Sequence, residues 1–235
     1  MAGIAGASSN HMDTRWRGLD CPDVVAQRIL RLDSPHMKPL NDYVERLRLN
    51  FGVVPYFDPF DGGIDARLLV FLETPGPSSA RVRFTSRDNP TGTARNLRKL
   101  FASTAIERHQ TAIWNAVPWV LSRKSSDLRA PSQSDLNIAA AFLPELVALF
   151  PNLSTIILAG KTAYRLEADL VRTTGGAEIL RMPHPSPTYV NTSPLIFPAM
   201  LATFARGAER AQGGDRVIDA KLAPTNHRPR TTRRC

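Results

Sequence analysis

Hydrophobic residues follow two alternating patterns along this chain, short continuous runs and longer stretches with helical spacing. The continuous runs predict strands that are buried on both faces. Apolar residues spaced three or four apart predict helices with one buried side. The predicted strands are 68–72, 111–117, 155–159 and 177–182. The predicted helices are 39–50, 94–103, 135–150, 162–170 and 194–211.

The alternation predicts an α/β fold. Buried strands joined by helical crossovers form a parallel sheet, so we expect a three-layer α/β/α sandwich around a central, mainly parallel four-stranded sheet. Residues 12–212 are predicted to form this single domain. Residues 1–11 are interpreted as a tag or disordered leader, because His11–Met12 resembles a cloning scar. Residues 213–235, beginning at Gly213–Gly214 and rich in arginine, are predicted to be a basic disordered tail.

Charge and composition narrow the class of partner. Lys and Arg number 30 against 21 Asp and Glu, a formal net charge of +9 that favours nucleic acid over an anionic membrane surface. A hydrophobic content of 43% argues against disorder throughout, and no apolar run reaches the roughly 18 residues of a membrane span. Two cysteines, Cys21 and Cys235, cannot ligate an iron–sulfur cluster and favour a reducing, cytoplasmic setting. The histidines lack metal-ligand spacing, so we expect no metal and no cofactor.

The segments that follow the predicted strands are candidates for a ligand site, because ligands bind at the carboxyl ends of parallel strands. These segments are 73–79, 115–119, 160–162 and 184–187. Residues 160–162 read Gly-Lys-Thr, but Thr155 stands where a P-loop needs glycine. The chain also contains neither the GxGxxG pattern of dinucleotide sites nor the GxSxG pattern of α/β-hydrolases.

Three of these segments together resemble the uracil-DNA glycosylase superfamily. Leu-Glu-Thr-Pro-Gly at 72–76 is similar to the first motif of its iron–sulfur branches, Gly-Glu-Ala-Pro-Gly. His-Pro-Ser-Pro at 184–187 matches the second motif, and Asn115 lies between them like the asparagine that recognises the base. The resemblance spans 41–211, with the motifs in family order. Because the cluster cysteines are missing, it indicates a divergent, cluster-free member.

The resemblance implies a monofunctional glycosylase of base-excision repair. Such an enzyme flips uracil out of single- or double-stranded DNA and hydrolyses its N-glycosidic bond, leaving an abasic site and free uracil. We expect a monomer with no membrane partner. Two alternatives stay open. One is a broader glycosylase for hypoxanthine, xanthine or ethenocytosine. The other is a uracil-DNA binder without turnover, bonded to DNA through a histidine such as His109.

The resemblance also suggests roles for individual residues. His184 donates a hydrogen bond to O2 of the departing base, and Glu73 positions the attacking water, with Asp88 as the runner-up. Asn115 reads the Watson–Crick edge of uracil. Further base-binding candidates are Phe84 and Phe57, either of which could stack on the base, together with Thr74 and Asn89.

Candidate DNA contacts flank these groups. Hydroxyl and cationic side chains suited to phosphate oxygens are Ser78, Ser79, Ser186, Arg123 and Lys124. Thr188 and Tyr189 follow the second motif, where the family inserts a wedge into the base stack. Tyr189 is large enough to fill the space that an extruded base leaves.

Overall fold

The central feature of the computed structural model is a parallel four-stranded sheet. The structure describes residues 17–121 and 128–222, with side chains described up to residue 213. The sheet strands are β2 (Leu68–Leu72), β4 (Thr111–Asn115), β5 (Thr155–Ala159) and β6 (Glu178–Met182). Their order is β4-β2-β5-β6, with all neighbours parallel. Two further strands, β1 (Tyr56–Phe57) and β3 (Phe84–Thr85), form a separate parallel pair.

Helices cover both faces of the sheet. They are α1 (Pro22–Ile29), α2 (Lys38–Phe51), α3 (Gly92–Ala102), α4 (Gln133–Ala141), α5 (Leu143–Ala148), α6 (Lys161–Tyr164), α7 (Glu167–Thr173), α8 (Pro187–Val190) and α9 (Ile196–Leu222). Alternate residues of β2 point to opposite faces, as the period of a strand requires. Leu69 and Phe71 join the core formed with α2, α4 and α5, whereas Leu68 and Val70 join the core formed with α3 and α9. The predicted three-layer α/β/α sandwich is confirmed.

Several element boundaries differ from the sequence prediction for identifiable reasons. The predicted helix 135–150 is two helices, because Pro144 lacks an N–H and cannot continue the hydrogen bonding of α4. The predicted helix 162–170 is likewise divided into α6 and α7. Helix α9 runs through Gly213 and Gly214 to Leu222 instead of stopping at 211, since a glycine within a helix costs only about 1 kcal/mol.

Consequently, part of the predicted tail, residues 213–222, is helical. The predicted leader at 1–11 and the rest of the tail lie outside the described residues. Helix α1, the β1–β3 pair and α8 have no counterpart in the sequence prediction. None of the helices in the described part of the chain combines the length and the apolarity needed to cross a bilayer.

Candidate active site

A cavity of about 470 Å³ opens at the carboxyl ends of β2 and β4, beside the segment that follows β6. Seven of the residues selected from the sequence line it: Glu73, Thr74, Ser78, Phe84, Asn89, Asn115 and His184. They come together because strands of a parallel sheet deliver their exits to the same edge. Asn115 ends β4 directly opposite Leu72, the last residue of β2.

Asn115 presents its amide to this cavity from a nearly fully buried position, with 3% of the residue exposed. Its Nδ2 donates a hydrogen bond of 3.3 Å to Oγ1 of Thr85. A buried amide left without a partner costs about 1–3 kcal/mol, so a ligand at this position is selected by its pattern of donors and acceptors.

His184 faces the same cavity as a neutral imidazole with a defined tautomer. The backbone N–H of Ser186 donates to its Nδ1 over 3.2 Å, which leaves the proton on Nε2. Burial lowers the pKa of the His184 imidazole, and the neighbouring Glu73 carboxylate opposes that shift only in part. The ring can therefore donate one hydrogen bond from Nε2 without carrying a charge.

The segment that carries His184 is held by two contacts that the motifs do not contain. Gly160 adopts a φ of +94°, and a Cβ built there would lie 2.8 Å from Cβ of His184. Only glycine combines this backbone conformation with so close an approach. On the other side, Nδ2 of the buried Asn96 donates to the carbonyl of Pro185 over 2.9 Å. The only sequence signal for either is a glycine directly after a strand.

The two aromatic candidates for stacking on a base have different surroundings. Phe84, on β3, lines the cavity and is 5% exposed. Phe57 instead stacks on Trp114, with ring centroids 4.0 Å apart, inside the core below α2. Phe57 is not among the residues that line the cavity, so its predicted base-stacking role is corrected to a packing role.

Asp88 also lies away from the cavity wall. Its carboxylate is ion-paired with Arg28 and, over 2.8 Å, with Arg108. Its ion pairs with two guanidinium groups, away from the cavity, argue against the runner-up role of Asp88 in water activation. Asp88 belongs to a buried charge cluster, which we define as Arg28, Asp58, Asp61, Arg87, Asp88 and Arg108.

The buried charge cluster braces the loop after β3. Arg108 donates Nε to Asp61, Nη1 to Asp88 and Nη2 to Asp58, each over 2.8–2.9 Å. Asp58 also accepts from Oγ of Ser86. Burial raises the pKa of Asp61 to about 6 against the opposing charges of Arg87 and Arg108, and among the described residues no donor reaches its Oδ2.

Asn89 and Thr74 both line the cavity, and the side-chain nitrogen of Asn89 is already hydrogen-bonded within the protein. Nδ2 of Asn89 donates to the carbonyls of Phe84 and Ser86 over 2.9 and 3.1 Å, so this nitrogen closes the loop. Thr74 is half-buried in the cavity wall next to Glu73. The backbone next to Thr74 is fixed to the segment that follows β4, because Val117 N–H donates to the Glu73 carbonyl over 3.1 Å.

Comparison with known proteins assigns the family. Residues 59–206 match the model of the uracil DNA glycosylase superfamily, which is more than half of the chain. The chain belongs to the uracil-DNA glycosylase superfamily. Among solved structures, the chain is similar to the crystal structure of wild-type Pedobacter heparinus SMUG2, with 9% sequence identity and a TM-score of 0.42 over 77% of this chain and 85% of that one. No curated protein matches the sequence.

Membership makes this chain a DNA glycosylase of base-excision repair with DNA as its substrate. The glycosylase cavity is bordered by groups suited to DNA contact. Ser78 lines the rim and Ser79 is exposed beside it, while Ser186 caps α8 by accepting from Tyr189 N–H. Thr188 and Tyr189 are both exposed on α8, Tyr189 to 45%. Arg123 and Lys124 lie outside the described residues.

Two further findings concern the chemistry of this glycosylase. His109, the histidine considered for covalent attachment to DNA, lies two residues before the start of β4 and is therefore at the opposite end of the strand from Asn115. It does not line the cavity, which argues against the non-turnover alternative. Within the described residues, no group of three or more His, Cys, Asp or Glu side chains is arranged to hold a metal ion.

Proposed function

We propose that this DNA glycosylase excises uracil, with water as the nucleophile. The observation that supports this most directly is that Asn115 and His184 face one cavity from two different strand exits, beside Glu73. Recognition of the base, stabilisation of the leaving group and positioning of water are the three tasks of the reaction, and each has a candidate side chain here.

Recognition is assigned to Asn115 and Phe84. A flipped uracil offers O4 as an acceptor and N3–H as a donor, the complement of one amide edge. Cytosine presents the opposite pattern and would leave both amide groups unpaired. Phe84 supplies a flat apolar surface for stacking on the extruded ring.

Departure of the base is assigned to His184. Negative charge develops on O2 of uracil only as the glycosidic bond breaks, so the Nε2–H donor stabilises the transition state more than the bound substrate. A neutral donor suits this role, because burial disfavours the charged imidazolium. Removal of one such preorganised donor costs about 10²–10³ in rate.

Water positioning is assigned to Glu73. Its half-buried carboxylate lies in the cavity close enough to His184 to oppose the pKa shift of the imidazole. A carboxylate there can hold a water against the sugar and stabilise the positive charge that the sugar develops.

We further propose that the enzyme acts as a cytoplasmic monomer. Tyr189 would fill the space that the extruded base leaves in the DNA.

The test is incubation with labelled oligonucleotides that carry uracil, hypoxanthine, xanthine or ethenocytosine, followed by alkali to cut abasic sites. We expect cleavage chiefly at uracil. Comparable cleavage at hypoxanthine or xanthine would replace the proposal with a broad-specificity glycosylase. A complex stable in SDS with no abasic product would replace it with a trapping protein.

Variants separate the roles. Glu73→Gln should lose turnover while keeping affinity for uracil-containing DNA, and His184→Ala should lose about 10²–10³ in single-turnover rate. Asn115→Asp should weaken uracil excision and admit some cytosine, because a carboxylate accepts from the N4 amine. Asp88→Asn is the control for Glu73→Gln and should keep its turnover. If the Asp88→Asn protein folded but lost turnover, the assignment of water positioning to Glu73 would be wrong.

A further inference from the structure

Arg83 places a cation in the wall of the cavity without belonging to any of the motifs. Among the described residues that line the cavity, it is the only lysine or arginine. It directly precedes Phe84 of β3 and is half-buried. In the described part of the chain, no carboxylate lies close enough to offset the desolvation of its guanidinium.

The three arginines of the buried charge cluster differ from Arg83 in this respect. Arg28, Arg87 and Arg108 are each ion-paired with at least one aspartate of that cluster. Burial lowers the pKa of Arg83 with no opposing contribution, but an arginine still carries its charge at neutral pH. A partly buried cation that has no counter-charge in the protein is stabilised by an anion supplied from outside.

One hydrogen bond fixes where this guanidinium lies. Nη2 of Arg83 donates to the carbonyl of Gly76. Gly76 is the first residue of an exposed segment, 76–81, along the cavity wall, whereas Asn115 is nearly fully buried. The guanidinium therefore lies beside the exposed part of the wall. A guanidinium has five N–H groups, so most of them stay available for the paired oxygens of an anion.

The substrate of a DNA glycosylase brings such an anion to this part of the wall. The base of an extruded nucleotide enters the cavity, while its sugar and phosphates stay joined to the DNA strand outside. The adjoining phosphodiester groups must therefore pass close to the exposed rim. Each of them offers two charged oxygens in the spacing that a guanidinium binds with two parallel hydrogen bonds.

We propose that Arg83 binds a phosphodiester group that flanks the extruded nucleotide and so holds the DNA strand at the mouth of the cavity. The inference needs only DNA as the substrate and does not depend on which base the enzyme excises. Arg83 is a DNA-binding residue and takes no part in breaking the glycosidic bond.

The first experiment measures binding to a DNA duplex with a tetrahydrofuran abasic analogue at its centre, which has no base to recognise or excise. Fluorescence anisotropy gives the affinity at several salt concentrations for the wild type, for Arg83→Gln, which removes the charge, and for Arg83→Lys, which keeps it. We expect R83Q to lose about tenfold in affinity and to reduce the slope of log affinity against log salt by about 1, because one phosphate contact is lost. R83K should keep the slope.

The matched control is Lys99→Gln. Lys99 is an exposed cation near the end of α3, the helix that leads from the cavity to the opposite edge of the sheet, where β4 begins. Its loss changes the net charge as much as R83Q does. We expect its affinity and its salt dependence to stay close to those of the wild type.

A second experiment identifies the phosphate. The phosphates beside the analogue are replaced one at a time by neutral methylphosphonate, and each duplex is bound to the wild type and to R83Q. We expect one position at which the replacement weakens binding by the wild type about tenfold but binding by R83Q about twofold or less, since the variant has already lost that contact.

Each outcome decides the proposal. R83Q with the wild-type salt dependence would overturn it, as would equal losses in both proteins at every methylphosphonate, because Arg83 would then act only through the Gly76 carbonyl. If R83Q does not fold, Arg83→Met also lacks the charge and is interpreted identically. A wild-type protein that does not bind these duplexes would overturn the role of Arg83. One that binds them through Arg83 but does not excise uracil would refute the proposed function alone.

Discussion

The residues nearest the chemistry depend on neighbours that make no contact with substrate. His184 is fixed on one side by its hydrogen bond from Ser186 N–H and on the other by the absence of a side chain at Gly160. The imidazole is thus oriented by two backbone features. We expect substitutions at such supporting positions to affect the rate more than the affinity for DNA.

Gly160→Ala tests this at the scale of one methyl group. The added Cβ would lie 2.8 Å from His184 Cβ, so the His184 side chain must shift from its present position. We expect the single-turnover excision rate to fall about tenfold or more, because loss of a preorganised donor costs up to about 10²–10³. DNA affinity, measured by fluorescence anisotropy, should change little.

The control for this variant is Gly175→Ala. Gly175 also has a positive φ, +58°, but a Cβ there meets nothing within 4 Å. Both variants should lower the thermal midpoint, Gly160→Ala by more, because φ +94° with ψ 164° is essentially restricted to glycine whereas φ +58° is typical of the left-handed region. Equal excision rates in the two proteins would contradict a specific role for Gly160.

Sequence reasoning identified the central site residues but not their supports. Glu73, Asn115 and His184 follow strand ends, and parallel topology alone predicts that such positions converge. The structure brings all three to one cavity, while their chemical roles stay predictions. Phe57 and Phe84 could not be distinguished, because each precedes a loop and only tertiary packing decides which ring meets Trp114.

At the scale of elements, the site depends on how α3 meets the segment before α8. Asn96 on α3 donates to the Pro185 carbonyl, and a Cβ built on Gly92 would lie 2.1 Å from Pro187 Cγ. The N-terminal part of α3 therefore packs directly on the second motif. These contacts join residues far apart in sequence, which is why no local pattern predicted them.

Asn96→Ala should destabilise the protein and slow excision together. The variant leaves the Pro185 carbonyl without its buried donor, a cost of about 1–3 kcal/mol in the free energy of unfolding. Urea unfolding and single-turnover kinetics measure the two effects. Asn137→Ala, at an exposed position of α4, is the control and should change neither.

The start of α4 gives a prediction about pH. Ser132 and Asp135 form a capping box, and Arg129 pairs with the same carboxylate over 2.6 Å. The hydrogen bond from Arg129 holds the pKa of the Asp135 carboxyl well below its usual range. The folded state therefore binds this proton more weakly than the unfolded chain does, and the stability is lost as the pH falls.

Asp135→Asn removes that contribution. We expect the variant to be less stable than the wild type at pH 7, with a difference that shrinks as the pH falls below about 4, the ordinary carboxyl value. Urea unfolding across this range provides the measurement. A difference that stayed constant down to pH 3 would show that the charge of Asp135 is not what stabilises α4.

Elements of only a few residues were missed from the sequence for a physical reason. The two-residue strands β1 and β3 are too short to show a period of two, and α8 is a single turn after a proline. Strands β2 and β5 were found because they are almost continuously apolar, whereas β6 has an apolar centre, Ile179–Leu180, flanked by Glu178 and Arg181. Helix ends were less predictable, since Pro144 and the glycines of α9 act in opposite ways.

On the scale of the whole molecule, the buried charge cluster links α1 to the loops that follow β1 and β3. Arg108 bonds three aspartates from two loops at once, and Arg28 connects α1 to Asp58 and Asp88. The partners lie 20–60 residues apart in sequence. No sequence pattern predicts such a cluster, because the tertiary fold determines which charged side chains become partners.

Arg108→Ala should destabilise the whole domain, since it leaves buried carboxylates short of a compensating cation. We expect a loss of about 3 kcal/mol in the free energy of unfolding at pH 7, measured in urea. Arg46→Ala breaks an exposed pair with Glu145 and should cost at most about 1 kcal/mol.

The effect should depend on pH with a definite sign. The raised pKa of Asp61, about 6, means that the folded protein holds this proton more tightly than the unfolded chain. Loss of Arg108 raises that pKa further, so protonation relieves the variant. The destabilisation should therefore be smaller at pH 5 than at pH 7, and an equal loss at both would contradict the electrostatic explanation.

The strand order β4-β2-β5-β6 has a consequence for how the chain is made. The first long strand to leave the ribosome, β2, lies inside the finished sheet, and both of its neighbours are translated later. Until β4 and β5 emerge, β2 is an apolar ribbon with two open edges, the kind of surface that aggregates or recruits a chaperone. Synonymous codons that slow translation between β2 and β5 should therefore lower the soluble yield of this protein without changing its activity per molecule.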